Sequence, residues 1–139
     1  MKITQNPLSY QSLLDKRNAD EIELLVIHCT ELPDLTMART YGERVLYPSG
    51  TGNSGHYYID QDGSIKCWID PEYVAHHVAG HNKNSIGIEL VNTGRYPHWF
   101  DSQKQIPTEK YTSAQITALN ELVTHLTLNY KQLKHIVGH

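Results

Sequence analysis

Two apolar runs far apart in this chain of 139 residues each end on an imidazole, and a carboxylate interrupts a third run between them. The first is Glu23-Leu24-Leu25-Val26-Ile27-His28-Cys29-Thr30, the second Lys134-His135-Ile136-Val137-Gly138-His139, and the third Ser85-Ile86-Gly87-Ile88-Glu89-Leu90-Val91-Asn92. A histidine at the end of a buried strand leaves the core with one ring nitrogen able to face a cleft. The plainer alternative is a partly buried imidazole tied to a backbone carbonyl. Two such histidines on neighbouring strands suit a pair of metal ligands, because neutral imidazole is a common zinc donor. Glu89 offers different chemistry. A carboxylate inside an apolar strand is costly unless paired or protonated, and the desolvation that raises its pKa suits a general acid or base working near neutrality. Its alternative is a solvent-facing glutamate or one held in a structural ion pair. Strand alternation puts Gly87 on the face of Glu89 and Ile86, Ile88 and Leu90 on the other, which leaves room beside the carboxylate for a cleft.

Other chemistry is weaker. His76, His77 and His81 cluster, and the spacing of His77 to His81 suits one helix face, but Gly80 argues against a helix there. No GxSxG, Walker or paired CxxC pattern is present, so serine-nucleophile, nucleotide-binding and zinc-ribbon readings lack support.

These residues need strands to hold them. The runs are short and rich in branched residues, as expected of buried strands, and Leu24, Val26 and His28 share one face of the first. Residues 1–21 read as an arm anchored by Ile3, Leu8, Tyr10, Leu13 and Leu14. Asp34 caps an expected helix through Leu35, Ala38, Tyr41 and Val45. Residues 47–55 form a loop dense in breakers, and Asp62-Gly63 turns a hairpin between residues 56–60 and 64–69. Residues 93–110 form a long irregular loop bearing Tyr96, Trp99 and Phe100, a length that implies function or the covering of apolar surface. Thr112 and Gln115 fit a capping box, with Ile116, Leu119, Val123, Leu126 and Tyr130 as the apolar stripe of the helix that follows. The pattern is that of a single α/β domain, a central mixed β-sheet flanked by helices.

Composition agrees. A hydrophobic content of 39% with 19% charged residues fits a folded globular domain rather than disorder. A formal charge of -3 gives no reason to expect nucleic acid or an anionic membrane as partner. The N-terminus lacks a signal-peptide core and no run is long enough to span a bilayer, so the chain as written reads as cytoplasmic, or as periplasmic or exported with a signal removed. Nine histidines lean toward a metal site. Cys29 and Cys67 both fall in expected buried strands and read as reduced packing thiols.

Leu25-Val26-Ile27-His28-Cys29-Thr30, Ser54-Gly55-His56-Tyr57-Tyr58-Ile59-Asp60-Gln61-Asp62-Gly63, Ala75-His76-His77, Asn84-Ser85-Ile86-Gly87-Ile88-Glu89-Leu90-Val91 and Ile136-Val137-Gly138-His139 also follow a known order. From about residue 22 to residue 139 the chain resembles the zinc-dependent N-acetylmuramoyl-L-alanine amidases of the AmpD type, whose fold peptidoglycan recognition proteins and phage amidase lysozymes share. The resemblance implies a Zn2+ cofactor with His28 and His139 as ligands, Glu89 as the catalytic carboxylate and His77 beside the metal, helping to stabilise an oxyanion. It places His56 where relatives carry a tyrosine or another cleft residue. His56, Asn53, Tyr96 and Trp99 are the expected substrate contacts, the two aromatics being equally readable as loop packing. The family motif continues to an aspartate or cysteine as third ligand, and this would lie beyond His139, as in a chain cut short after its Gly-His motif. The implied activity is hydrolysis of the amide between N-acetylmuramic acid and L-alanine in peptidoglycan or a muropeptide, by a monomer. The alternative is a peptidoglycan-binding protein of the same fold without catalysis.

Overall fold

The structure is a computed structural model that describes residues 1–106 and 109–139. Six strands form one sheet: β1 (Ile3–Gln5), β2 (Leu24–Cys29), β3 (Tyr57–Ile59), β4 (Ile65–Cys67), β5 (Ser85–Leu90) and β6 (His135–Gly138). Their order across the sheet is β1-β4-β3-β5-β2-β6, and every pairing is parallel except the β3–β4 hairpin. Gly63 takes the left-handed φ of +87° that this hairpin turn requires. Two α-helices flank the sheet, α1 (Leu35–Gly42) and α2 (Ser113–Asn129). The expected α/β design, a mixed sheet between helices in one domain, is the one found. No helix among the described residues is long and apolar enough to cross a membrane.

The two faces of the sheet differ. One carries Leu25, Ile59, Ile65, Ile86, Ile88 and Leu90 and is packed by Ala118, Leu122 and Leu126 of α2. The other meets Leu8, Tyr10, Leu14, Leu32, Ala38, Trp68 and Ile69 around Tyr58. It also carries the polar side chains described below.

Both helix starts form as expected. The Asp34 carboxylate accepts the Met37 N–H at 2.8 Å, and Thr112 and Gln115 close a reciprocal capping box. The expected stripe of α2 packs in large part, with Leu126 buried and Leu119, Val123 and Tyr130 partly buried against the core, but the centre of the buried face is turned from it. Gln115, Ala118, Leu122 and Leu126 are its buried residues, while Ile116 is 43% exposed. The rotation follows from Gln115, whose amide donates to the Ile59 and Val91 carbonyls at 3.2 and 2.8 Å where β3 and β5 end. A residue that serves both the cap and two strand-end carbonyls outweighs one more apolar contact.

The N-terminal arm is also more ordered than expected. Its β1 adds an edge strand beside β4, and the Asn6 and Leu8 amides continue the pairing to the Cys67 and Trp68 carbonyls at 3.0 and 2.9 Å. Leu8, Tyr10 and Leu14 are buried, whereas Leu13 is exposed. Cys29 and Cys67 are free thiols.

Gln115→Ala is expected to cost about 2 kcal/mol, since it strands two buried carbonyls and removes half of a cap. Ile116→Ala is expected to stay within about 0.5 kcal/mol of the parent. Urea midpoints at unchanged m-value measure both, and a larger loss for Ile116→Ala would contradict this orientation of α2.

Candidate functional site

Parallel pairing in register sets the site. Residue for residue, Leu24 to Cys29 of β2 lie beside Ser85 to Leu90 of β5, which puts His28 directly opposite Glu89. On the other edge of β2, Val137 lies beside Val26, and the His139 amide donates to the Ile27 carbonyl at 3.0 Å. Side chains alternate along a strand, so His28, Glu89 and His139 emerge on the same face, the one away from α2. The His28 and His139 rings are 4.9 Å apart between centroids. The structure thus brings together the three residues that the sequence analysis drew from separate runs.

Glu89 sits at the floor of a cleft of about 480 Å³ whose walls include Tyr47, Asn53, Ser54, His76 and His77. Two glycines leave room for the side chains that line it. A Cβ on Gly55 would stand 2.9 Å from Glu89 Cγ, and one on Gly87 would stand 2.7 Å from His77 Nδ1. No lysine or arginine lines this cleft among the described residues. Burial without a cation partner pushes the Glu89 carboxyl up to about 8. Tyr58 lies opposite Glu89 on β3, stacked on Trp68 at 3.8 Å. Its hydroxyl accepts the Gly55 N–H at 3.2 Å, which ties the loop ahead of β3 to the sheet.

A set of imidazoles runs from the cleft wall at His77 into the protein. His28 Nε2 is 2.9 Å from His77 Nδ1, and His77 Nε2 is 3.0 Å from Ser85 Oγ. Burial lowers the pKa of His77 to about 2, aided by its imidazole neighbours, and that of His28 to about 4, aided by His139. His56 is fully enclosed at 0% exposure. Its Nδ1 accepts the Gly87 N–H at 3.1 Å and its Nε2 donates to the Tyr73 carbonyl at 2.9 Å. Burial, with the Arg17 guanidinium 3.2 Å away, lowers the His56 pKa to about 3. Arg17 is itself buried and donates to the Pro71, Asn82 and Lys83 carbonyls at 2.8, 3.1 and 3.0 Å. It clamps the segment that carries His76 and His77 against the sheet.

The expected substrate contacts separate. Asn53 stands in the cleft wall, its Oδ1 accepting the Tyr47 hydroxyl at 2.5 Å. His56 is not a cleft residue, because both ring nitrogens are spent inside the protein. Tyr96 lines a different hollow, with Met37, Thr40, Tyr41 and Arg44 beside α1. Trp99 packs edge-on to Tyr96 at 5.5 Å and donates to the Glu31 carbonyl at 3.0 Å. The long loop is held there by the Glu31–Arg95 ion pair at 2.6 Å, and Phe100 projects into solvent. Pro107 and Thr108 of that loop lie outside the described residues. Both nitrogens of His77 are likewise engaged, which leaves none free to touch an oxyanion.

Ser85, Arg17, Tyr47 and Tyr58 escaped the sequence analysis. A serine opening a strand whose inner face bears a carboxylate is a legible hint for Ser85. Arg17, in a polar arm with no periodicity, offers none.

Among the described residues, no three or more His, Cys, Asp or Glu side chains stand in metal-holding geometry. His28 and His139, adjacent at strand ends, supply two donors of the kind zinc takes.

The family model for N-acetylmuramoyl-L-alanine amidase matches residues 18–139. The chain is 33% identical over 75 residues to the endolysin of Klebsiella phage KP32, a match covering 54% of this chain and 45% of that protein. It therefore spans about half the length of such curated relatives. Among solved structures it is similar to AmpD, as a selenomethionine derivative, with a TM-score of 0.73 and 24% identity over 99% of this chain and 80% of that one. It is also similar to the ectodomain complex of the peptidoglycan recognition proteins LCa and LCx bound to tracheal cytotoxin. That match has a TM-score of 0.74 and 20% identity, over 100% of this chain and 84% of that one.

Glu89 predicts a pH-dependent stability. Its folded pKa of about 8 lies above the unfolded value of about 4.3, so the fold favours the protonated acid. That contribution is complete below the unfolded pKa and is lost as pH rises through the folded one. Glu89→Gln, which cannot ionise, is expected to melt above the metal-free parent at pH 8 to 9, with the gap closing toward pH 4. A gap that is constant with pH, read by thermal melts across this range, would refute the elevated pKa.

Proposed function

Because the chain belongs to the N-acetylmuramoyl-L-alanine amidase family, we propose that it hydrolyses the amide between N-acetylmuramic acid and the L-alanine of a stem peptide, in peptidoglycan or a muropeptide, with zinc as its cofactor. The observation that carries this reading is the in-register pair His28 and Glu89, with His139 beside His28 and Glu89 lining an open cleft.

His28 and His139 would hold the zinc, which when bound supplies Lewis acidity to the scissile carbonyl and to the attacking water. Glu89 takes the proton of that water as the water attacks the carbonyl carbon. It then hands the proton to the nitrogen of the departing L-alanine as the C–N bond breaks. Its raised pKa suits both steps, since a group titrating near working pH accepts and returns a proton with little penalty. Gly55 keeps a side chain off Glu89, and Gly87 leaves room for the His77 ring. Asn53 and Tyr47 present an amide and a phenol hydroxyl on the wall, chemistry matched to the amides and hydroxyls of a glycopeptide.

A second reading has its own support. Peptidoglycan recognition proteins bound to tracheal cytotoxin share this fold, and a chain that only binds such fragments needs the cleft but neither Glu89 nor zinc.

Turnover of a purified muropeptide separates the two. Glu89→Gln is expected to lower the rate by about 10²- to 10⁴-fold with binding retained, and a chelator is expected to abolish turnover that added zinc restores. Binding without release of the stem peptide, whether or not zinc is supplied, would establish the non-catalytic reading instead.

A further inference from the structure

The hydroxyl of Ser85 stands between two acceptors and can satisfy only one as a donor. Its oxygen is 2.7 Å from the backbone carbonyl of His81 and 3.0 Å from Nε2 of His77. A carbonyl oxygen has no proton to give, so at 2.7 Å the serine proton must point at it. Otherwise two sets of lone pairs would face each other inside the protein, at a serine with no solvent exposure.

With its proton committed, Ser85 Oγ accepts, and His77 donates from Nε2. A neutral imidazole has one N–H, so His77 Nδ1 is bare. That bare nitrogen lies 2.9 Å from His28 Nε2, and the contact is a hydrogen bond only when His28 donates from Nε2. His28, neutral in turn, keeps its lone pair on Nδ1. Two rings protonated on both nitrogens would set N–H against N–H at this contact, so the 2.9 Å approach itself requires a bare nitrogen. The parts are held in place from several sides. Gly87 lies under the His77 ring with no room for a Cβ, and Asn82 Oδ1 accepts the His77 backbone N–H at 2.9 Å.

We infer that Ser85, acting through His77, is a positioning residue that sets the tautomer of His28 and leaves Nδ1 as the ligating nitrogen of that ring. The inference rests on the zinc reading above for its purpose, though the hydrogen-bond chain itself does not. Metal-ligating histidines commonly donate their second N–H to a protein acceptor, which orients the ring and raises its basicity. Here the acceptor is another imidazole, whose own tautomer is dictated by a serine locked onto a backbone carbonyl. His77 thereby acts on His28 rather than on substrate.

Long-range ¹H–¹⁵N spectra of the ¹⁵N-labelled, metal-free chain near pH 7 read the tautomers directly. Both His77 and His28 are expected as Nε2–H forms, and a His28 carrying its proton on Nδ1 would overturn the inference. Ser85→Ala is expected to leave His28 as a mixture of tautomers and to weaken binding of zinc alone about 10- to 100-fold, with Ser85→Thr retaining the parent pattern. A Ser85→Ala chain with one unchanged tautomer and unchanged zinc affinity would also overturn it. Should Ser85→Ala fail to fold by circular dichroism, the spectrum of the parent decides. A parent that shows the expected tautomers yet binds no zinc would sustain the hydrogen-bond chain and defeat the zinc reading, so the two failures are distinct.

Discussion

The parallel registration of β2 with β5 is the constraint from which the rest of this structure follows. It seats His28 opposite Glu89, and because side chains alternate, a slip of one residue in either strand would send one of the two to the α2 face. What prevents the slip is the apolar half of the same strands. Leu25, Ile86, Ile88 and Leu90 must meet Leu122 and Leu126 of α2, and they do so in only one parity. The packing that stabilises the domain thus also aims the polar groups. Burial on one face offsets the cost of holding a desolvated carboxylate on the other.

The polar face is built to a different rule. Every buried side-chain nitrogen and oxygen among the described residues has a hydrogen-bond partner, which is what makes so many imidazoles tolerable around one cleft. Arg17 illustrates the economy of the arrangement. Its hydrogen bonds described above all go to backbone carbonyls, so it fastens residues 71–84 without bringing a carboxylate near the cleft. Its charge and the surrounding burial both favour neutral rings. Among the described residues Glu89 is the one carboxylate lining the cleft, with no ion pair there to lower its pKa. Reactive and structural groups are separated in this way by partner choice as much as by position.

The long loop shows how a local feature can leave two readings open. Its aromatics read equally as groove walls and as loop packing, and the loop covers apolar surface beside α1. Two ties decide this. Glu31, at a left-handed φ of 55°, turns its carboxylate onto Arg95 and its carbonyl onto the Trp99 indole. These are contacts between residues some sixty-five positions apart, with no periodicity to announce them. His56 did mislead. Resemblance places it in the cleft, whereas the Gly87 amide and the Tyr73 carbonyl occupy both of its nitrogens.

What could be read from the chain alone was whatever depends on neighbours within a strand or a turn. The runs ending at His28 and His139, the parity that sets Glu89 apart from Ile86, Ile88 and Leu90, the Asp62-Gly63 turn and the two helix caps are all encoded locally. The order of the motifs was legible too, and with it the family. Tertiary structure alone decided which polar groups face the cleft and which are consumed behind it, which side of α2 is buried, and how β1 joins the sheet. Hydrogen-bond partners are chosen in three dimensions, and a histidine has the same letter whether its nitrogens meet solvent, a carbonyl or another ring.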